Sequence, residues 1–257
     1  MSILFSGDFH ANAKNELGFI TKNTLVKKYK KPKYDEIKYH IILGDGGFLW
    51  HGNEKTDLFN FKVLAERPFP VLCVMGNHEP ILGLLDHPDL HEVDIGIGEK
   101  VIQIKKEKPF TAYLKRGKIY KIENKKFLVL GGALSIDKKY RRPNISWWEN
   151  EYWSEHEKNE LLSELKKKNN FDYILTHTGP NRINRIINPF NRAAIMPKFF
   201  DEVAAFNETI DTLITCKQWF CGHWHTDKYY YDEHLKRGYQ YLYEKTALVS
   251  DDEIEVV

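Results

Sequence analysis

The stretch from Phe220 to Asp227 reads FCGHWHTD, with two histidines one residue apart straight after an apolar run and a glycine. If Gln218 to Cys221 ends a strand, alternation sends Trp224 to one face and turns His223 and His225 to the other, where both imidazoles converge. Imidazoles that converge in this way invite a metal ion. Residues of the same kind close other short apolar runs. Asp8 and His10 follow ILFS, Asp45 follows HIILG, Asn77 and His78 follow VLCVMG, and His177 follows YILT. Taken singly, each has a plain structural explanation: a loop cap for Asp8 or Asp45, an Asx-turn for Asn77, a hydrogen-bonded core histidine for His177. Taken together, the repetition at one strand end after another points to a shared site.

The elements that must position these residues are legible as runs. Ile3 to His10, Tyr39 to Gly47, Pro70 to Glu79, Lys126 to Ser135, Asp172 to Pro180 and Gln218 to His225 are apolar without alternation, the pattern of strands buried on both faces. Helical spacing separates some of them. Asn53 to Arg67 carries Leu58, Phe61 and Leu64 or Ala65. Ser154 to Lys168 carries Leu161, Leu162 and Leu165 behind a capping box of Ser154 and Glu157, and Asp201 to Cys216 carries Val203, Phe206, Ile210 and Leu213. Strands alternating with helices predict a layered α/β fold, in which the carboxyl ends of neighbouring strands share one edge where ligand sites are built. From Tyr229, tyrosines and charges alternate around Arg237 and Gly238, which predicts an antiparallel hairpin closing a sheet edge. The lysine runs Lys27 to Lys33 and Lys166 to Lys168 read as solvated helix ends or loops.

The motifs D-x-H (Asp8, His10), G-D (Gly44, Asp45), G-N-H-E (Gly76 to Glu79), a lone strand-end histidine (His177) and G-H-x-H (Gly222, His223, His225) follow one another in that order. Together they resemble the five-part signature of calcineurin-like metallophosphoesterases, and the resemblance runs from Asp8 to His225. It implies a four-layer α/β/β/α sandwich with a two-metal site at the carboxyl ends of the strands. By the same resemblance Asp8, His10, Asp45 and His225 hold one metal. Asp45, Asn77, His177 and His223 hold the other, with Asp45 as the bridge. His78, beside a ligand but not one itself, is implied to face the substrate and to protonate the leaving oxygen or stabilise its charge. In the phosphoprotein phosphatases this histidine is paired with an aspartate three residues after the bridging one, followed by an arginine. Phe48 and Leu49 stand in those places here. Glu79 is the candidate to orient His78 instead.

Two divalent ions about 3.5 to 4 Å apart activate water at neutral pH and neutralise phosphoryl charge during in-line attack. Imidazoles, carboxylates and an amide oxygen without sulfur suit Mn²⁺, Fe, Zn²⁺, Co²⁺ or Ni²⁺ better than the all-oxygen sites of Mg²⁺ or Ca²⁺, and Mn²⁺ is the expected ion. For the substrate phosphate, Arg141 and Arg142 are the candidates, on a loop after the GGALS strand. Gly179 to Lys198, with Arg182, Arg185 and Arg192 and no acid, is a second candidate, as a basic lid. Trp50, Trp147, Trp148 and Trp224 lie near motif positions and offer faces for a nucleobase or for core packing.

A chain of 257 residues, 42% apolar, is enough for one large domain, and a single domain spanning 1–257 is expected. A net charge of +2 gives no overall field for nucleic acid or membrane. Cys73, Cys216 and Cys221 have no paired spacing, and no run is long enough for a signal peptide or a membrane span, so a cytoplasmic protein is expected. The predicted activity is dimetal hydrolysis of phosphate mono- or diesters, with a phosphatase favoured over a nuclease or a cyclic-nucleotide or nucleotide phosphodiesterase. The expected partner is a phosphorylated small molecule, a nucleotide or a phosphoprotein, with nucleic acid left open. A non-catalytic scaffold of the same fold is the contrasting possibility, and the intact ligand positions speak against it.

Overall fold

The computed structural model describes residues 2–10, 22–47, 69–79, 90–104, 110–189, 201–251 and 253–257. The expected helix at Asn53 to Arg67, Phe48, Leu49, Trp50 and Arg192 lie outside these residues.

Two sheets organise the chain. The larger holds strands β1 (Ser2–Ser6), β2 (Ile37–Ile42), β3 (Val71–Val74), β4 (Leu90–Val93), β5 (Val101–Ile104), β6 (Thr111–Leu114), β13 (Thr246–Ser250) and β14 (Glu253–Val256) in the order β14-β13-β1-β2-β3-β6-β5-β4. The smaller holds β7 (Lys118–Ile122), β8 (Lys125–Leu130), β9 (Tyr173–Thr176), β10 (Gln218–Cys221), β11 (Lys228–Asp232) and β12 (Arg237–Tyr241) in the order β11-β12-β10-β9-β8-β7. Within them β1, β2 and β3 run parallel, as do β8, β9 and β10. Their carboxyl ends therefore meet along one edge. Helices α1 (Lys22–Asp35), α2 (Glu155–Leu165), α3 (Asn181–Ile187) and α4 (Glu202–Leu213) cover the outer faces.

Side-chain alternation builds the layers. Ile3 and Phe5 of β1 and Ile41 of β2 pack between the sheets against Phe127 and Val129 of β8, Tyr173 and Leu175 of β9, and Phe220 of β10. Phe5 and Phe220 stack with ring centroids 4.6 Å apart. The residues in between face outward: Leu4 and Ile42 join Leu25 and Tyr29 of α1, while Leu128, Ile174 and Trp219 join Leu161 of α2, Ile183 of α3 and Ile210 of α4. The result is the expected α/β/β/α sandwich, and strands buried on both faces explain the unbroken apolar runs.

The helix signals hold at their starts. Ser154 caps α2 through a complete capping box with Glu157, and Asp201 caps α4 by accepting from the N–H groups of Val203 and Ala204. The tyrosine-rich hairpin forms as β11 and β12, with β11 at the sheet edge. Its turn spans residues 233–236, so Arg237 and Gly238 begin a strand rather than form the turn. The lysine run from Lys27 lies on α1, where Lys27, Lys30, Lys31 and Lys33 are exposed.

Candidate metal centre

Of the larger sheet's parallel strands, three deliver a part of the site, Asp8 and His10 beyond β1, Asp45 beyond β2, Asn77 and His78 beyond β3. The smaller sheet delivers His177 beyond β9 and His223 and His225 beyond β10. The mechanism at β10 differs from the alternation expected there. The strand ends at Cys221, and His223 and His225 lie in the following loop with φ of 66° and 45°. Those left-handed residues still separate the faces as foreseen, since Trp224 joins the helix-side core while both imidazoles turn to the site. His10 and Asp45 are left-handed as well, with φ of 47° and 50°. Four non-glycine residues held in this costly conformation at one place are the kind of strain that a functional site retains.

The glycines preceding the ligand candidates make room for ligands from other strands. A Cβ on Gly76 would overlap the Asp45 carboxylate, and one on Gly222 would overlap that of Asp8. Asp8 is held from the opposite sheet, because the His223 N–H donates to both of its oxygens at 2.9 and 3.1 Å. Asp45 accepts the His78 N–H at 2.9 Å.

Imidazole nitrogens and side-chain oxygens converge at two points. At the first, Nε2 of His10 and Nε2 of His225 are 2.8 Å apart, and both approach Asp8 Oδ2, at 3.4 and 3.3 Å. At the second, His177 hydrogen-bonds Leu43 O through Nδ1 at 2.7 Å. Its Nε2 therefore points at two acceptors, Asn77 Oδ1 at 3.0 Å and Asp45 Oδ2 at 3.2 Å. The Nε2 of His10 lies 3.8 Å from Asp45 Oδ2, so Asp45 stands between the two points. Three overlapping groups (Asp8, His10 and His225; His10, Asp45 and His78; Asp8, Asp45 and His177) have ligand atoms within 4.8 Å of one another.

The electrostatics agree with the geometry. Burial alone would raise Asp45, but the imidazoles of His177, His78 and His10 hold its carboxyl well below the usual range. Burial would lower His177, yet Asp45 and Asp8 raise it to about 10, so a proton occupies Nε2 in the metal-free protein. Burial and the charge on His177 push His223 down to about 3, leaving it neutral, as a metal ligand must be.

His78 is pushed down to about 4 by burial, opposed by Asp45 and reinforced by Arg141. The Arg141 guanidinium lies against its ring, Nη1 3.1 Å from Nδ1 and Nη2 2.5 Å from Nε2. Asp137 anchors that guanidinium at 2.7 Å. Arg141 is thus delivered to the site, whereas Arg142 is exposed and its N–H donates to Ser146 Oγ on the same loop. Glu79, the sequence candidate to orient His78, directs its carboxylate to main-chain N–H groups of Asp45, Gly46 and Gly76 at 3.2, 2.7 and 2.6 Å, clamping the β2 and β3 loops together.

Arg182 corrects the lid reading. It pairs with Asp211 and Asp232, both at 2.6 Å, and donates to Tyr239 Oη at 2.9 Å, so its charge ties α3 to α4 and the hairpin. Arg185 is exposed on α3. Of the tryptophans, Trp224 is buried in the core and Trp147 carries Lys138 Nζ 3.9 Å above its ring. Trp224 therefore offers no open face for a base, and Lys138 takes one face of Trp147.

A family model for calcineurin-like phosphoesterases matches residues 1–227. The chain belongs to that family. As a calcineurin-like phosphoesterase it is a metal-dependent hydrolase, and the family implies a dinuclear centre of divalent ions. The opposed acceptors around His177 Nε2 and the paired imidazoles at Asp8 fit such ions. The fold is shared with a solved structure. The protein TT1561 of Thermus thermophilus aligns over 100% of this chain and 97% of its own at TM-score 0.52 and 12% identity. A Staphylococcus aureus protein assigned as a 5'-nucleotidase aligns over 100% of this chain at TM-score 0.49 and 13% identity, and this phosphoesterase spans only 52% of that chain. No curated protein matches the sequence significantly.

Proposed function

We propose that residues 1–257 form a single metallophosphoesterase domain that hydrolyses phosphate esters at a two-metal centre, and that it is a phosphatase for a phosphorylated small molecule, nucleotide or phosphoprotein. The observation that carries this reading is His177, whose Nε2 faces Asn77 Oδ1 and Asp45 Oδ2 with its other nitrogen already committed to Leu43 O. Only a positive charge is stable among those atoms, and a neutral nitrogen, an amide oxygen and a carboxylate form a ligand set for a divalent ion. In this reading Asp8, His10, Asp45 and His225 hold one ion and Asp45, Asn77, His177 and His223 the other. Mn²⁺ suits the mixed donors. The chemistry such ions supply when bound is activation of water and neutralisation of phosphoryl charge.

The remaining roles belong to side chains at the rim. Asp45, whose Oδ2 lies near both His177 and His10, would be shared by the two ions. Arg141, fixed by Asp137, offers the planar donor fork that phosphoryl oxygens accept. A guanidinium added to two divalent ions suits the dianion of a monoester better than the single charge of a diester. His78, neutral at neutral pH, serves the leaving oxygen as an N–H donor, while burial, with Arg141 beside it, keeps the ring from charging. Among the described residues no helix is long and apolar enough to cross a membrane. The free thiols of Cys73, Cys216 and Cys221 suit the reducing cytoplasm that we propose as its compartment.

The test is hydrolysis of p-nitrophenyl phosphate and bis-p-nitrophenyl phosphate by Mn²⁺-loaded protein, with His177→Ala as control. Faster turnover of the monoester, lost by at least about 100-fold in the control, is expected. Preference for the diester would make the protein a phosphodiesterase. Inertness toward both esters with two ions bound would return the scaffold reading.

A further inference from the structure

Of the six apolar runs legible in the sequence, the one that becomes β8 ends without a candidate ligand. Its continuation nevertheless reaches the site. The Gly132 N–H donates to Met75 O at 2.8 Å, which draws the chain after β8 against the loop that holds Asn77. Ser135, 3% exposed, thereby comes within 2.9 Å of Asn77 Nδ2. Behind it stands Glu151, 1% exposed, which accepts the Ser135 N–H at 3.2 Å and its Oγ–H at 2.5 Å.

The direction of this chain of bonds decides which end of the Asn77 amide faces the centre. With its proton directed to Glu151, the Ser135 hydroxyl offers a lone pair to Asn77 and can only accept. It therefore takes the Asn77 NH₂ group, and Oδ1 is left 3.0 Å from His177 Nε2. Turned over, the amide would aim two N–H donors at the place of the cation. We propose that Ser135 and Glu151 are positioning residues that fix the Asn77 carbonyl oxygen toward the second ion and so set the affinity of that half of the centre. This rests on the reading of Asn77 as a ligand of that ion.

The experiment measures Mn²⁺ bound per chain against buffered free Mn²⁺ for the full-length protein, with circular dichroism and the metal-free melting temperature of each variant. Asn77→Ala should lose one ion. Ser135→Ala should weaken that same ion by about 10- to 100-fold, the range for groups that orient a metal ligand, and leave the other unchanged. Ser135→Thr, which keeps the hydroxyl, should restore the affinity. Glu151→Gln, which brings an NH₂ to the hydroxyl and favours turning over the amide, should weaken the same ion, and it decides the matter if Ser135→Ala does not fold. Wild-type affinity in both Ser135→Ala and Glu151→Gln, while Asn77→Ala loses its ion, would overturn the proposal and spare the metal reading. Equal weakening of both ions, alongside a lowered metal-free melting temperature, would also overturn it, as the mark of a general packing role. Two ions retained in Asn77→Ala would instead sink the ligand assignment itself.

Discussion

His78 and His177 show how burial and neighbouring charge set opposite protonation states in one site, burial prevailing at His78 and the Asp45 and Asp8 carboxylates at His177. His78, beside Arg141, is neutral at pH 7. His78→Ala should keep its metal and slow turnover, most for esters with poor leaving groups, because a good leaving group needs little help from a donor. Steady-state rates across a series of aryl phosphates check this, and equal slowing throughout would contradict the role. Asp45 and Asp8 raise His177 to about 10, so an ion bound there as proposed would displace a proton from Nε2. Apparent Mn²⁺ affinity should rise with pH between 6.5 and 8.5, by up to about tenfold per unit, with protons released on binding. Titrations at three pH values test it. The sign for the metal-free fold is opposite. A folded value raised from 6.5 to about 10 contributes stability that is complete below about 6.5 and is lost as pH rises through about 10. Arg141 and Arg142 mark where sequence reasoning stopped at this scale, since adjacent arginines are indistinguishable until the loop anchored by Asp137 brings one of them to His78.

At the scale of elements, the strand ends were legible because burial on both faces leaves unbroken apolar runs, and all of these runs but the one that becomes β8 stop at a candidate ligand. Strands β4 and β5, LHEV and VIQI, were not read, being short and mixed with polar residues. Nor was α1, a lysine-rich helix whose sequence is broken at Lys30 (φ 64°), two residues before Pro32. Ser135 escaped for another reason. Serine is no ligand for the expected metals, and its role exists only through partners 16 and 58 residues away. The glycines are the clearest junction of element and site. Gly222→Ala would press a methyl group onto the Asp8 carboxylate and the Leu43 carbonyl. We expect it to cost about 1–3 kcal/mol of stability and about 100-fold in activity, with the ion at Asp8 the first to leave. Metal stoichiometry and hydrolysis rates of the purified variant measure both.

Over the whole molecule, the site is a seam between two sheets that meet through Phe5, Phe127, Tyr173 and Phe220. Phe220→Ala removes a fully buried ring from that interface and should cost about 3–5 kcal/mol in urea denaturation of the metal-free protein. Activity in the folded fraction should fall too, because Phe220 stands two residues before Gly222. The strand order was beyond sequence reading, since β1 pairs with β13, near the opposite end of the chain, as well as with β2. Such long-range pairing makes slow folding the expectation. It also gives the two histidines at Asp8 a further meaning. His10 and His225 are 215 residues apart, so an ion gripping both is a clasp closed across most of the chain. Drawing such distant segments together in an unfolded chain costs loop entropy that the folded sheets have already met. An ion held as proposed would give the chain a cross-link governed by ion concentration, where its three free thiols form none governed by redox state.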